Sequence, residues 1–390
     1  MRLKYTNSLE NFNRDIKKFA FLISIVIGLN FTQFAFDKIV YFAIIALAAL
    51  YNIFKGNRLG PILAFLFLLE CLVSILINTV DMAFQPYSRL ALLALTFVAV
   101  GPMMIGKNAT NFKYFLLKFL FNWLIIIIVL SVICYFFRIP LAFGRAGFKG
   151  VASHAMDLAP IASIVLLYTV DKILRIEDKK EKCLFVMLLL LSVFILFVSA
   201  SRGALVGFVV ASLAYIFFRE RNVGRCIKYI LMLSVLGGGL VALNPGGMML
   251  NFEAKMERVE NDGDISGGRM NSLMPRFLEF EESPVFGIGF STMKYTRISS
   301  DGYFEPGSGW VFILSSTGLL GFLFAFFLNI TAIFNVWRNP NLVLYSSIAI
   351  FFMVHSCIEG YILTVGNPLC VLLWLNIGFL ADKKNLYLYG

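Results

Sequence analysis

Charged residues are scarce in this sequence, and their scarcity excludes most soluble folds. Only 15% of the 390 residues are charged, whereas 59% are hydrophobic, and the mean hydropathy is +0.82. A soluble domain usually has about a quarter charged residues and cannot cover so much apolar surface. A lipid bilayer solvates apolar side chains directly, so the composition indicates an integral membrane protein.

Other patterns are also missing, and each absence removes a class of protein. The six cysteines show neither paired nor CxxC spacing, so the sequence predicts no disulfide framework and no structural metal site. No small-residue cleavage site closes the first apolar run, which therefore predicts an anchored helix in place of a removable signal peptide. No internal repeat relates two halves of the chain, whereas many transporters are built from such repeats.

Long apolar runs are frequent, and a helix needs about twenty such residues to cross roughly 30 Å of hydrocarbon. The runs predict an all-α polytopic membrane protein with about twelve transmembrane helices. We predict spans over residues 19–36, 38–54, 60–80, 88–106, 115–137, 155–171, 183–200, 203–218, 226–243, 309–333, 341–357 and 361–380. The chain then divides into helices 1–9 (residues 1–243), one large periplasmic loop with short helices (244–308) and helices 10–12 (309–390).

Lysine and arginine are unevenly distributed among the loops, which predicts an orientation. If the N-terminus is cytoplasmic, most basic segments and both termini lie on the cytoplasmic side, as in a bacterial inner-membrane protein. The net charge of +11 is therefore interpreted as a topology signal. Because the basic residues are dispersed between apolar runs, the sequence predicts a lipid bilayer, and no nucleic acid, as their partner.

A few basic residues break this distribution because they lie on the predicted outer side. Arg145 and His154 fall in a short external segment, and Arg269 and Arg276 fall in the large loop. Arg202 lies in a turn of small residues between two apolar spans. Cations that violate a topology bias need another role, and binding of an anion such as phosphate is the obvious one.

Ordinary explanations for these arginines stay open. Arg202 can be an interfacial anchor whose charge reaches the lipid headgroups. Arg276 can form salt bridges with nearby glutamates such as Glu279. The segment 269–282 also predicts an amphipathic helix, because Arg269 and Arg276 are seven residues apart and share a face with apolar side chains. We expect this helix to pack on the bundle with its cations at a polar cavity.

Three short motifs follow one another along the chain. They are residues 201–205 (SRGAL), residues 268–269 (GR) followed by 282–289 (ESPVFGIG), and residues 318–321 (GLLG). In this order and spacing they resemble the O-antigen ligase/polymerase superfamily, and most closely its Wzy-type O-antigen polymerases. The resemblance extends from about residue 199 to residue 325.

This resemblance implies glycosyl transfer without a metal or other cofactor, on undecaprenyl-pyrophosphate-linked oligosaccharides at the outer face of the inner membrane. Arg202, Arg269 and Arg276 are then expected to stabilise the pyrophosphate leaving group. Arg276 and Gly287 fit an Arg-x10-Gly pattern associated with polymerase loops, and Gly287 and Gly289 are expected beside the substrate. A flippase and a chain-length regulator are the implied protein partners.

One departure from the superfamily helps to choose between its members. The resemblance to ligases includes a His-[Asn/Ser/Gln]-x9-Gly-x-x-Gly pattern, whose histidine is thought to activate the acceptor hydroxyl. Ser308, Gly318 and Gly321 fit this pattern, but Gly307 occupies the histidine position. The missing histidine argues against a ligase and leaves the acceptor base unassigned, with Glu305 as a candidate replacement.

The two histidines of the chain are further candidates. His355 precedes Glu359 by one helical turn, so the two can form a His–carboxylate pair that acts as a general base. His154 has Asp157 nearby and allows the same interpretation, and it can also contact an anionic substrate together with Arg145. For both histidines the alternative is a structural role, in which the histidine and the carboxylate only hydrogen-bond to each other within the bundle.

Several questions stay open at this point. Sugar identity and linkage correspond to no recognisable motif, although loop aromatics such as Tyr303 offer faces on which a sugar can stack. A ligase that transfers glycan to lipid A core is the alternative within the superfamily. A transporter or flippase is the alternative outside it, and the absence of related halves argues against that class.

Overall fold

The computed structural model describes residues 2–55, 57–78, 85–144, 147–220, 269–294, 307–384 and 386, and the isolated positions 224, 227, 238 and 257. Side chains are described from residue 14 onwards, and from residue 270 in the segment that begins at residue 269. In these ranges the chain is predominantly helical.

The helices are α1 (Arg2–Asn30), α2 (Lys38–Phe54), α3 (Ile62–Ile77), α4 (Pro86–Ala99), α5 (Lys107–Phe136), α6 (Ala155–Arg175), α7 (Lys179–Val198), α8 (Arg202–Glu220), α9 (Arg269–Glu282), α10 (Gly309–Ile333), α11 (Val343–His355) and α12 (Pro368–Leu380). Short 3-10 turns cover Pro140–Ala142, Phe334–Trp337 and Pro340–Leu342. Two antiparallel pairs of two-residue strands join loops, β1 (Arg58–Leu59) with β2 (Met104–Ile105) and β3 (Phe143–Gly144) with β4 (Gly147–Phe148).

Four helices in the described part of the chain are long and apolar enough to cross a membrane. They are α5, α7, α8 and α10 with its 3-10 extension. Shorter apolar helices include α2, α3, α4 and α12. Large apolar side chains also face outwards, for example Ile39 and Phe54 on α2, where lipid can cover them. The structure supports a polytopic all-α membrane protein, while the number of twelve crossings and the periplasmic side of the loop stay predictions.

Several predicted helices have the ends that the structure shows. The predicted residues 38–54, 269–282 and 309–333 coincide with α2, α9 and α10. Strong apolar periodicity and clear breaks in composition at both ends account for this agreement. The predicted span 226–243 falls outside the described residues, apart from isolated positions.

Helix α12 differs from its prediction because it starts seven residues later, at Pro368 in place of residue 361. Asn367 caps the helix, since its side-chain oxygen accepts the N–H of Leu369 at 2.8 Å. Proline at the first helical position fits a helix start, where no N–H is needed. The apolar residues before the cap form turns, which hydropathy alone does not distinguish from helix.

The helix pairs give the bundle two distinct ends. Helices α6 and α8 run in the same direction, since Ser163 bonds to Ala204 near one end and Tyr215 bonds to Asp171 near the other. We call the end with His154, Arg202, Ser308 and His355 the motif end, and the end with Arg175, Arg219, Asn335 and Val343 the opposite end. The 19 residues of α8 separate the two ends by roughly 28 Å, which is close to the thickness of a hydrocarbon core.

Candidate functional site

Helix α10 is interrupted inside its apolar run. At Gly318 the backbone adopts φ 65° and ψ −168°, so the turns on either side lose intrahelical hydrogen-bond partners. The chain that follows α9 returns to this break, and its residues 284–289, which we call the docking segment, lie against it. The two later sequence motifs therefore meet in space, although they are separated along the chain.

Main-chain hydrogen bonds join the docking segment to the broken turn. The N–H of Ile288 donates to the carbonyl of Ser315 at 3.0 Å, and the N–H of Leu319 donates to the carbonyl of Pro284 at 2.8 Å. Buried backbone groups need such partners, because an unpaired one costs about 1–3 kcal/mol. The segment that docks in the break thus replaces the hydrogen bonds that the helix loses there.

Both motifs contribute a glycine that this contact requires. Gly287 has φ +70°, and an added Cβ would overlap the backbone of Ser316. Gly318 has φ +65°, and an added Cβ would overlap the carbonyl of Val285. Conformation and space both exclude larger residues here. Gly287 is therefore a packing residue of the junction, and a contact of Gly287 or Gly289 with substrate stays a prediction.

Replacing Gly318 with alanine is expected to destabilise the protein by about 1–3 kcal/mol, because alanine is strained at this φ and its Cβ meets Val285. The measurement is the thermal unfolding midpoint of the purified protein in detergent. Gly366→Ala is the matched control, since no atom lies within 4 Å of the Cβ that it adds. Equal unfolding midpoints for the two variants would contradict the close packing of the junction.

Helices α3 and α4 contact the same junction from the other side. The hydroxyl of Ser74 donates to the carbonyl of Ser316 at 2.7 Å, and the amide of Asn78 donates to the carbonyl of Gly287 at 3.0 Å. Arg89 of α4 donates to a serine hydroxyl just beyond the docking segment at 2.9 Å. No sequence motif marks these three residues, and the available signal was a polar side chain near the end of an apolar run.

Arg276 forms a buried ion pair on the face of α9 that packs against α10. Its Nη1 lies 2.7 Å from Oε2 of Glu279, and both side chains are 0% exposed. Glu279 also accepts the N–H of Lys294 at 2.7 Å and a hydrogen bond from the hydroxyl of Ser315. Burial lowers the pKa of Arg276 to about 10 and raises the pKa of Glu279.

This ion pair corrects the expected environment of Arg276. Helix α9 packs on the bundle as expected, and its buried cation Arg276 contacts Glu279 of the same helix. The geometry agrees with the alternative in which Arg276 is paired with a neighbouring glutamate. A buried arginine requires such a partner, because an isolated buried charge is strongly destabilising. Glu279 therefore joins α9 to Ser315 beside the break in α10, and Arg276 compensates the buried charge of Glu279.

Arg202 is the first residue of α8, at the motif end of the bundle. The hydroxyl of Ser201 accepts the N–H of Ala204 at 3.4 Å, as expected for a residue that caps a helix N-terminus. Gly203 packs against the turn after α11, since an added Cβ would lie 3.0 Å from Cγ2 of Ile358. The half-buried Arg202 thus adds its charge to the positive end of a helix dipole, beside residues 356–359.

His355 is the last residue of α11, and its ring is buried. Nδ1 lies 3.0 Å from the hydroxyl of Tyr361, and the ring stacks on Phe351 with centroids 5.3 Å apart. The regular helix ends at His355, but the N–H of Glu359 donates to the carbonyl of His355 at 2.9 Å, so Glu359 lies one turn after it as expected, and a His355–Glu359 side-chain pair stays a prediction. The carbonyl of Glu359 accepts the N–H of Gly309 at 3.1 Å and joins this turn to α10.

His154 has a local structural role at the start of α6. Its Nδ1 accepts the N–H of Met156 at 3.2 Å, which makes His154 the N-cap. Asp157 in the first helical turn accepts the hydroxyl of Ser153 at 2.8 Å. The side chains of His154 and Asp157 therefore both make hydrogen bonds at the start of α6. The ring of His154 is nevertheless exposed at the surface of the motif end.

The structure at the N-terminus of α10 accounts for Gly307, which stands where the ligase pattern has a histidine. Ser308 caps the helix by accepting the N–H of Val311 at 3.4 Å. Gly307 has φ +72°, and an added Cβ would lie 2.9 Å from Cβ of Ser272 in α9. Position 307 therefore favours glycine through both its conformation and the approach of α9.

Other predicted residues are not placed by these contacts. Arg145, Tyr303 and Glu305 lie outside the described residues, and Arg269 is described only through its backbone, at the first position of α9. Within the part of the chain that the structure describes, no three His, Cys, Asp or Glu side chains lie close enough to hold a metal ion.

Residues 187–326 match the family model for O-antigen ligases. This match supports the O-antigen ligase/polymerase superfamily, whose members are glycosyltransferase-like enzymes and include both polymerases and ligases. Within the matched superfamily region lie Arg202, the Arg276–Glu279 pair and both glycines of the junction. No curated protein matches the chain.

Proposed function

We propose that this protein polymerises undecaprenyl-pyrophosphate-linked oligosaccharide repeat units, as an O-antigen or capsule polymerase at the outer face of a bacterial inner membrane. The observation that carries polymerisation over ligation is Gly307. Its φ of +72° and its contact with Ser272 disfavour the histidine that the ligase pattern has at this position. Both termini are proposed to be cytoplasmic, and a flippase and a chain-length regulator are the proposed partners.

The proposed reaction transfers a growing glycan to the next lipid-linked repeat unit. A hydroxyl oxygen of the acceptor sugar attacks the anomeric carbon of the donor sugar, and the bond from that carbon to the pyrophosphate oxygen breaks. The acceptor proton passes to a base, and the lipid pyrophosphate leaves with its concentrated negative charge. Cations held beside the leaving group lower the barrier because they stabilise that charge as it develops.

Arg202 and Arg269 are proposed to bind the pyrophosphate. Each begins a helix, α8 and α9 respectively, so each adds a cation to a helix end that already favours anions. Ser272, one turn after Arg269, packs beside Gly307, which supports a place for Arg269 at the motif end. Arg276 is proposed as a positioning residue, because its charge is engaged in a buried ion pair.

The acceptor base is proposed among the acidic residues that flank the N-terminus of α10. Glu305 precedes this helix by four residues, and Glu359 lies in the turn whose carbonyl binds Gly309. His355 is proposed to position that turn through its contact with Tyr361, and not to act as the base itself. A base is required here because the acceptor hydroxyl loses its proton as it attacks the donor sugar.

Further residues are proposed to contact the substrate around this centre. Arg145 and Tyr303 are proposed as contacts of the lipid-linked glycan, through charge and through aromatic stacking on a sugar. The exposed ring of His154 is proposed to contact the same substrate at the surface of the motif end.

A ligase is the second candidate, and the matched family's description favours it. A ligase would transfer the finished glycan to lipid A core and leave chain length unchanged. The two functions therefore predict different accumulated products when the gene is deleted.

The test is a gel of surface polysaccharide from a deletion strain, with and without the wild-type gene. We expect a ladder of chain lengths with the gene and a single repeat unit without it. If the deletion strain instead accumulates long polymer on the lipid carrier that never reaches the surface, the chain is a ligase. An unchanged surface ladder in the deletion strain would contradict both enzymatic functions and favour a transporter.

A further inference from the structure

A second polar site lies at the opposite end of the bundle, far from Arg202. Two cavities of about 300 and 410 Å³ open there, and Asn341 lines both of them. They surround the 3-10 turns that connect α10 to α11. We call the first cavity the basic notch and the second the side cavity.

The basic notch has cationic walls. Arg338 and Lys383 line it together with three asparagines, and none of the described lining residues is acidic. Among the described residues, neither cation has an acidic partner within 4.0 Å. Lysine and arginine side chains that converge on one polar cavity favour an anionic ligand.

The walls of the notch are held in place by hydrogen bonds to the C-terminal segment. The amide of Asn335 donates to the carbonyl of Leu380 at 2.7 Å, and the amide of Asn339 donates to the carbonyl of Leu386 at 3.0 Å. Asn339 also accepts the N–H of Asn341 at 3.0 Å. These bonds fix the turn that carries Arg338 relative to the segment that carries Lys383.

The side cavity differs because its cations already have partners. Nε of Arg175 lies 2.9 Å from Oδ1 of the buried Asp171, and Tyr215 donates to the same oxygen at 2.9 Å. Arg219 donates to the hydroxyl of Tyr215 at 3.0 Å, and Glu220 lines the same cavity. Within the part of the chain that the structure describes, the positive charge without an acidic partner is therefore in the basic notch and not in the side cavity.

Aromatic residues indicate the level in the membrane at which the basic notch lies. Trp337, next to Arg338, is 44% exposed and packs edge-on against Phe217 and Phe218 at centroid distances of 6.0 and 5.8 Å. Exposed tryptophan is enriched at the level of lipid headgroups. The length of α8 places this level one hydrocarbon thickness from the motif end.

We propose that the basic notch binds the phosphate group of an anion, and that an anionic phospholipid of the leaflet opposite the motif end supplies it. The charge, the cavity volume and the headgroup depth fit a phosphodiester, whose oxygens accept hydrogen bonds from guanidinium and ammonium groups. This inference does not depend on the proposed glycosyl transfer.

The test is a binding titration of the purified full-length protein in a neutral detergent. The probes are short-chain phosphatidylglycerol, short-chain phosphatidylcholine and inorganic phosphate, and bound lipid is counted by native mass spectrometry. We expect phosphatidylglycerol to bind the wild type more tightly than phosphatidylcholine does. Lys383→Gln and Arg338→Gln should each weaken phosphatidylglycerol binding by about fivefold.

Lys384→Gln is the matched control, because Lys384 is an exposed neighbour of Lys383 that does not line the notch. Unchanged binding in this variant, with loss in Lys383→Gln, supports the proposal. Competition by millimolar inorganic phosphate would identify free phosphate as an alternative source of the same ligand group. The proposal would be overturned if Lys383→Gln and Lys384→Gln lost phosphatidylglycerol binding equally, or if the two lipids bound equally. General surface charge would then explain the binding.

Discussion

Replacing Arg202 with alanine is expected to lower the rate of glycan transfer by about 10²–10³-fold, while the protein still inserts in the membrane. This loss is the size found when one preorganised donor to a developing negative charge is removed. Arg202 adds a permanent cation to the N-terminus of α8, so both the guanidinium and the helix dipole favour an anion there. The measurement is the chain-length ladder, together with transfer by purified protein.

Two further variants make this prediction specific. Arg202→Lys keeps the charge but loses the rigid fork of donors, so we expect an intermediate rate. Arg138→Ala removes an exposed arginine from the loop after α5, at the same end of the bundle, and should leave the ladder unchanged. Full ladders in Arg202→Ala would assign the residue to interfacial anchoring and remove the main cation from the proposed mechanism.

Breaking the Arg276–Glu279 pair is expected to cost about 3–5 kcal/mol of folding free energy, because either single change leaves an uncompensated buried charge. Arg276→Ala and Glu279→Ala should therefore both lower the thermal unfolding midpoint strongly. Glu282→Gln is the control, since the Glu282–Lys294 pair is 35% and 56% exposed and such surface pairs contribute at most about 1 kcal/mol.

A double variant separates a positioning role from contact with substrate. Arg276→Met with Glu279→Gln removes both charges and keeps an oxygen that can accept the N–H of Lys294. We expect this variant to regain most of the lost stability and to retain transfer activity. A stable double variant that makes only single repeat units would show that Arg276 contacts substrate, contrary to the positioning role proposed above.

The sequence predicted the helices well where apolar runs end at clear polar breaks. Helices α2 and α10 follow hydropathy, and α9 follows the spacing of Arg269 and Arg276. Hydropathy could not reveal the break at Gly318, because it reports the polarity of side chains and not the backbone φ. It also could not show that 361–367 form turns, since Ile362, Leu363 and Val365 extend the apolar run of α12 towards the N-terminus.

The candidate site was predictable only in part, because its contacts are not local. The sequence placed Arg276 and Glu279 three residues apart on one helix face, which is a local signal for an ion pair. Whether that pair faces water or α10 depends on how the loop folds back. Likewise, Gly287 and Gly318 are 31 positions apart, and nothing in their separate motifs predicts that the backbone of one fills the space beside the other.

The interruption of α10 has a consequence for how the protein can move. Its first nine residues, Gly309–Thr317, are joined by main-chain hydrogen bonds to the docking segment, and that segment is continuous with α9. The same segment accepts the N–H of Leu319 beyond the break, so a tilt of α9 would have to carry both pieces of α10 with it. The turn after α11 is bonded to Gly309 at the start of the same helix, so we expect such a movement to reach the surroundings of Arg202 as well.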